Sequence, residues 1–233
     1  GLVEEDETLS EPLAPLPFQP AQPGIGTIFA GAVKALQTSD FESAEFLARE
    51  IIKRLPDAPE AYHLLGMTLA NTDRVDEAIE ALQAAADRYK TNVEPLVIKG
   101  ELLLALGRKS EAMETLNAAT NRDPTNWRAK ELFSGMLEED GRESEAMLHY
   151  VQALKWAPSD YLSPRLKLAR LYIQNDRQEE AVSVIADFVN DNPENFLAQA
   201  ALGQVQLAAG QSGDAIDSFE RAVELAPGNS GVK

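Results

Sequence analysis

The chain has no cysteine. Disulfide frameworks, thiolate catalysis and cysteine-held metals are therefore excluded. The compartment is not fixed by this, since cytosolic and periplasmic chains can both lack the residue. Histidine is nearly as scarce: His63 and His149 are the only two, and neither forms part of a zinc-type pair such as H-E-x-x-H. No apolar run is long enough to cross a bilayer. The chain opens Gly1-Leu2-Val3 without initiator methionine or signal peptide, as expected of a trimmed or processed chain that has lost any targeting segment. A soluble protein, cytoplasmic or periplasmic, is the expectation. Basic residues are outnumbered, and the formal net charge is −17. Such a surface repels a phosphate backbone and an anionic bilayer alike, so nucleic acid is a poor partner and direct membrane insertion is not expected. A basic or apolar protein partner remains allowed, and acidity also serves plain solubility.

What the chain does have is organisation. Residues 1–24 hold Pro12, Pro15, Pro17, Pro20 and Pro23, five acids (Glu4, Glu5, Asp6, Glu7, Glu11), and no lysine or arginine. Prolines this dense forbid a helix and favour extended, polyproline-like backbone, which predicts a tail or linker. From about Ile25 onward one pattern recurs. Ala44, Ala78, Ala112, Ala146, Ala181 and Ala215 are separated by 34, 34, 34, 35 and 34 residues. Twelve residues after them stand Pro56, Lys90, Pro124, Pro158, Pro193 and Pro227; twelve before them stand Ala32, Gly66, Gly100, Ser134, Ala169 and Gly203. Three marks sharing one period indicate a solenoid or array.

Each unit reads as two helices. In the second, Tyr62, Leu65, Gly66 and Leu69 recur at helical spacing, Asn71-Thr72-Asp73 turns, and Ala78, Leu82 and Ala85 continue on a second helix. Gly107, Gly141 and Gly210 suit the left-handed conformation that ends a helix. Small residues let two helices cross closely, and prolines close the second helix because the residue before proline resists helical geometry.

These marks resemble the tetratricopeptide repeat (TPR), a 34-residue helix–turn–helix with small residues at its eighth and twentieth positions and proline near its end. The repeats run 25–58, 59–92, 93–126, 127–160, 162–195 and 196–229, followed by residues 230–233. Tyr161 is one extra residue, Lys90 replaces a proline, and the first repeat has Ile28 and Gly31 where larger residues are usual. The resemblance implies an all-α, right-handed superhelical solenoid of about six repeats behind the proline-rich acidic tail. First helices would line its concave face, an extended surface used for binding.

No catalytic constellation stands out, and no cofactor is implied. Gly107-Arg108-Lys109-Ser110 lacks the upstream glycines of a phosphate loop, and Glu138-Glu139 reads as a solvated helix face. Some TPR domains clamp a chaperone's terminal carboxylate with lysines and asparagines at the fifth and ninth positions. Here those positions hold Phe29 and Val33, His63 and Met67, Val97 and Glu101, Glu131 and Gly135, Leu166 and Arg170, Ala200 and Gln204. The clamp is missing.

Projected onto the family's geometry, the candidate peptide-binding groove has three zones. Its amino-terminal end is apolar, with Phe29, Val33, Leu36, Met67, Val97 and Leu104, and His63 also falls on this side. Its middle is acidic, with Glu94, Glu101, Glu131, Glu138 and Glu139 around Arg128. Its far end is mixed, with Leu166, Arg170, Ile173, Gln174, Leu197, Gln204 and Leu207. Such a groove would hold a peptide or amphipathic helix, and acidic side chains would favour a basic residue in it. The apolar residues can equally be packing between repeats, and His63 either a donor or simply solvated. Trp127 and Trp156, near repeat boundaries, are expected to pack between repeats. The resulting expectation is a protein-interaction scaffold, with a self-assembling module or a regulatory arm of a larger protein as alternatives. Leu13, Leu16 and Phe18 make the tail a candidate docking segment for the first two repeats, or for a second copy. The last helix, with Ile216, Phe219, Ala222 and Val223, is expected to need a cover from further chain or from self-association.

Overall fold

A computed structural model describes residues 24–226. Among these residues there are twelve α-helices and no strand. They are α1 (Ile25–Gln37), α2 (Phe41–Arg54), α3 (Pro59–Ala70), α4 (Val75–Arg88), α5 (Glu94–Ala105), α6 (Lys109–Arg122), α7 (Trp127–Glu139), α8 (Glu143–Leu154), α9 (Ser163–Gln174), α10 (Gln178–Asp191), α11 (Phe196–Ala208) and α12 (Ser212–Leu225). Each helix packs on the next, and short connections make neighbours antiparallel. Successive odd-numbered helices also approach one another, as α1 with α3 and α9 with α11, more than the even-numbered ones do. The array is a solenoid that curves toward its first helices.

The 34-residue marks have distinct physical duties. A Cβ added at Gly66 would lie 2.6 Å from Leu82 Cγ, one at Gly100 2.6 Å from Leu116 Cδ2, and one at Gly203 2.9 Å from the Phe219 ring. The small residue of the first helix is therefore a socket for the side chain four residues beyond the recurring alanine. Ala44, Ala78, Ala112, Ala146, Ala181 and Ala215 are buried at the crossing itself. The residue between paired helices has positive φ in every unit: Ser39, Asp73, Gly107, Gly141, Asp176 and Gly210, at 57° to 78°. Glycine supplies that conformation without Cβ strain in three units, and serine or aspartate adopts it in the others.

Helix starts are marked in two ways. Pro59, Pro95 and Pro164 stand in the first turns of α3, α5 and α9, where their missing N–H is not needed. Asn126 and Asn195 accept from the backbone N–H of Ala129 and Ala198 at 2.8 and 3.1 Å. The extra residue falls in the connection 155–162. α8 stops at Leu154, two residues shorter than α6 and α10, and the added Tyr161 packs its ring against Trp127 at a tilt of 58°, centroids 4.9 Å apart.

Candidate functional site

The inner face is crossed by ion pairs that run from one first helix to the next. Arg128 on α7 grips Glu101 of α5 with two nitrogens, at 2.6 and 3.0 Å, and reaches Glu94 at 2.9 Å. Glu131 of α7 accepts from Lys167 and Ser163 of α9 at 3.0 and 3.2 Å. Glu138 of α7 accepts from Arg170 of α9. The acidic middle is thus largely neutralised internally. Glu131 is only 6% exposed, so its charge is spent on Lys167 and not offered outward. Glu139 leaves this face altogether, accepting from Lys109 of α6 at 2.7 Å in a cleft with Ser110 and Met113.

The apolar amino-terminal zone also looks inward more than outward. Phe29, Leu36 and Met67 are half-buried against the core of the first two units, and Leu104 against the central core. Val97 is corrected most sharply: it is 0% exposed, held among Leu96, Ala119 and Ala129, because it points at the next unit and not into the groove. Val33 remains exposed. His63 is half-buried and not fully solvated. Its Nε2 is buried without a partner, and burial pushes its pKa below the ordinary histidine value.

At the other end the structure brings sequence-chosen residues together around open space. Leu166, Arg170, Ile173 and Gln174 of α9 face Ala201, Gln204, Val205 and Ala208 of α11 across a mainly apolar cleft of about 370 Å³. Leu197 and Leu207, also on α11, are exposed. Arg170 donates to Gln174 at 3.3 Å as well as to Glu138, which fixes its guanidinium at the cleft wall.

Two features escaped sequence reasoning. Arginine and glutamate three apart recur at the start of the second helices, as Arg74–Glu77, Arg108–Glu111, Arg142–Glu145 and Arg177–Glu180. Hydrogen bonding to the guanidinium holds each of these glutamates below its ordinary pKa. Their spacing and period were visible in the sequence as R-x-x-E. The second feature is Lys130, buried yet, among the described residues, donating only to Gln152, at 2.8 Å. Burial lowers its pKa, and nothing in the local sequence distinguishes it from a surface lysine. Of the tryptophans, Trp127 does pack across a unit boundary, whereas Trp156 is 57% exposed. Among the described residues no helix is long and apolar enough to cross a membrane, and no cluster of three or more ligating side chains could hold a metal.

Twelve antiparallel helices wound around an open inner face define a helical-repeat solenoid, an architecture whose working part is a surface that holds other proteins. Comparison with known proteins narrows the class. The family model for anaphase-promoting complex, cyclosome, subunit 3 matches residues 37–119, and a tetratricopeptide repeat model matches residues 166–230. No curated protein sequence matches the chain. Solved structures do. The C-terminal part of a TPR repeat-containing protein from Cytophaga hutchinsonii aligns with TM-score 0.69 at 16% identity, over 87% of this chain and 81% of that one. PilF of Pseudomonas aeruginosa aligns with TM-score 0.66 at 17% identity, over 88% and 93%. YrrB, described as a TPR protein with an unusual peptide-binding site, aligns with TM-score 0.62 at 14% identity, over 79% and 95%. At these identities the structures speak for the fold. The chain belongs to the tetratricopeptide repeat family, a protein-interaction fold that is typically non-catalytic.

Proposed function

We propose that the chain is a scaffold that holds an amphipathic helix or extended peptide in the carboxy-terminal half of its concave groove, without a carboxylate clamp. The cleft between α9 and α11 carries this reading. It combines apolar walls (Leu166, Ile173, Val205) with amides at Gln174 and Gln204 that can satisfy a bound backbone or polar side chain. The amino-terminal half is less suited, because its apolar side chains are engaged in the core and its acids in ion pairs. YrrB offers a precedent for peptide binding on this fold.

The reading is tested by selecting ligands for the whole chain from a displayed random-peptide library. Selected sequences should carry apolar anchors at i, i+3 or i+4, and i+7, and Leu166→Asp with Ile173→Asp should weaken them by roughly tenfold or more. Phe46→Asp, on the outer face of α2, should leave them unchanged. Equal binding to the doubly substituted groove would rule out this site.

A further inference from the structure

The outward face of the second helices is polar along most of the array, and α8 breaks the pattern. Glu80, Glu114, Ser183 and Asp217 stand where α8 has Leu148, a position shared in kind only with Phe46 of α2. Arg49, Gln83, Asn117 and Glu220 stand where it has Val151. Arg54, Arg88 and Arg122 stand where Trp156 follows the end of α8. Leu148, Val151 and Trp156 are all exposed. Beside them a cleft of about 400 Å³ opens between α8 and α10, with apolar walls from Val151, Leu154, Leu168, Tyr172 and Val184. Its charged lining is Lys155 from α8 and Glu180 and Asp187 from α10. Glu180 is engaged by Arg177 at 2.9 Å, whereas Lys155 and Asp187 make no direct ion pair among the described residues. A projecting indole and an open apolar cleft therefore lie side by side on one face, linked by Lys155, which lines the cleft and adjoins Trp156 in the chain.

Two copies of such a face fit one another about a two-fold axis, because an isologous contact sets the projection of each copy on the recess of the other. We propose that the occupant of the cleft is a second copy of this chain, each Trp156 entering the α8–α10 cleft of the other copy. Clefts of this size hold small ligands, so an indole fits, and a desolvated tryptophan is the kind of side chain that dominates an interface. Lys155 travels with Trp156 and meets the acids lining the opposite cleft, Asp187 above all, since Glu180 already has Arg177. Charge favours this face in a second way. With a formal net charge of −17, most of the surface repels its own copy. Here Lys155 and Arg177 balance Glu180 and Asp187, so two copies meet without net repulsion. The last helix lacks that balance: Ile216 is exposed on a helix with Asp214, Asp217, Glu220 and Glu224 against Arg221 alone. Leu13, Leu16 and Phe18 of the tail, expected from sequence to dock, lie outside the described residues. The five acids that precede them suit a cleft lined by Glu180 and Asp187 poorly. Three exposed apolar side chains and one cleft place the contact at the small end of specific interfaces. The dimer is therefore weak, with a dissociation constant of about micromolar or above.

The test is the solution mass of the full chain, measured by sedimentation equilibrium at concentrations up to about 1 mM. A monomer–dimer equilibrium is expected. Trp156→Ala should weaken it by roughly tenfold or more. Lys155→Asp should weaken it several-fold, and adding Asp187→Lys should restore it, because the pair re-forms between copies with its charges exchanged. Phe46→Asp and Ile216→Lys, at exposed sites elsewhere, should leave it unchanged. In a chain with Trp127→Phe, Trp156 is the sole tryptophan, and acrylamide should quench it several-fold less as the dimer forms. Any of four results overturns the proposal: a chain that stays monomeric, association that survives Trp156→Ala, a charge-exchanged pair no better than Lys155→Asp alone, or quenching of Trp156 that ignores concentration.

Discussion

The two ends of the array present opposite chemistry to water. At the first, α1 carries Thr27, Ala30, Gly31 and Lys34 at the positions where α3 buries Ala61, Leu64, Leu65 and Thr68 against α2. At the last, α12 keeps Ile216 and Val223 at positions where α4 buries Ile79 and Ala86. Ile79 is 8% exposed and Ile216 58%. The lesson is that position within a repeat does not decide burial; the presence of the next unit does. One end has exchanged its interface residues for small and polar ones, and the other has retained interface chemistry on an open face.

The sharpest break of this comparison is one substitution made twice. Ile79→Lys buries an unpaired ammonium and should cost about 3 kcal/mol or more in denaturant unfolding. Ile216→Lys should cost less than about 0.5 kcal/mol, as an exposed site would. Equal costs would mean that the α12 face is covered in solution, by further chain or by a second copy.

A second pair of variants compares the sockets. Gly66→Ala places a methyl 2.6 Å from the wholly buried Leu82, which has nowhere to go. Overpacking of about 1–3 kcal/mol should exceed the gain of up to about 1 kcal/mol in helix propensity. Gly203→Ala meets the Phe219 ring at 2.9 Å, but that ring is half-exposed on the open end and can swing aside. There the two effects should nearly cancel, so the difference between the two variants in midpoint of urea unfolding is the quantity to measure.

The smallest effects lie in the turns. Ser39 in the first unit has φ of 59°, Gly210 in the last 78°. Ser39→Gly should relieve strain and stabilise by about 1 kcal/mol, and Gly210→Ser should destabilise by about the same. Native-state hydrogen exchange, which resolves units of differing stability, should show each change at its own end. A change spread evenly over all six units would mean that the array unfolds as one piece.

Much of the fold was legible because its constraints are local and repeated. A socket, a crossing alanine and a turn recur at one spacing, and each needs a particular side-chain size or φ that only a few residue types supply. The candidate groove was less legible, because its behaviour depends on which neighbour each side chain meets. Val97 and His63 hold the same repeat position, yet Val97 is sealed by Ala119 and Ala129 while the His63 ring is half-buried. The acids of the middle zone were visible, but their partners stand 27 to 36 residues away. Testing opposite charges one repeat apart would have exposed the pairing of Glu94 with Arg128. The mixed far zone read least distinctly from sequence, and it holds the open cleft.

The ion pairs across the inner face also have a mechanical consequence. Each joins the first helices of two consecutive units on the inner, compressed side of the coil, so together they act as ties that set how tightly the coil winds. Added salt weakens exposed ties of this kind. The coil should slacken most between α5 and α9, where the ties are concentrated, and the mouth of the groove should widen there. The pitch of the whole molecule is thereby linked to the ionic strength around it, with no change in any helix.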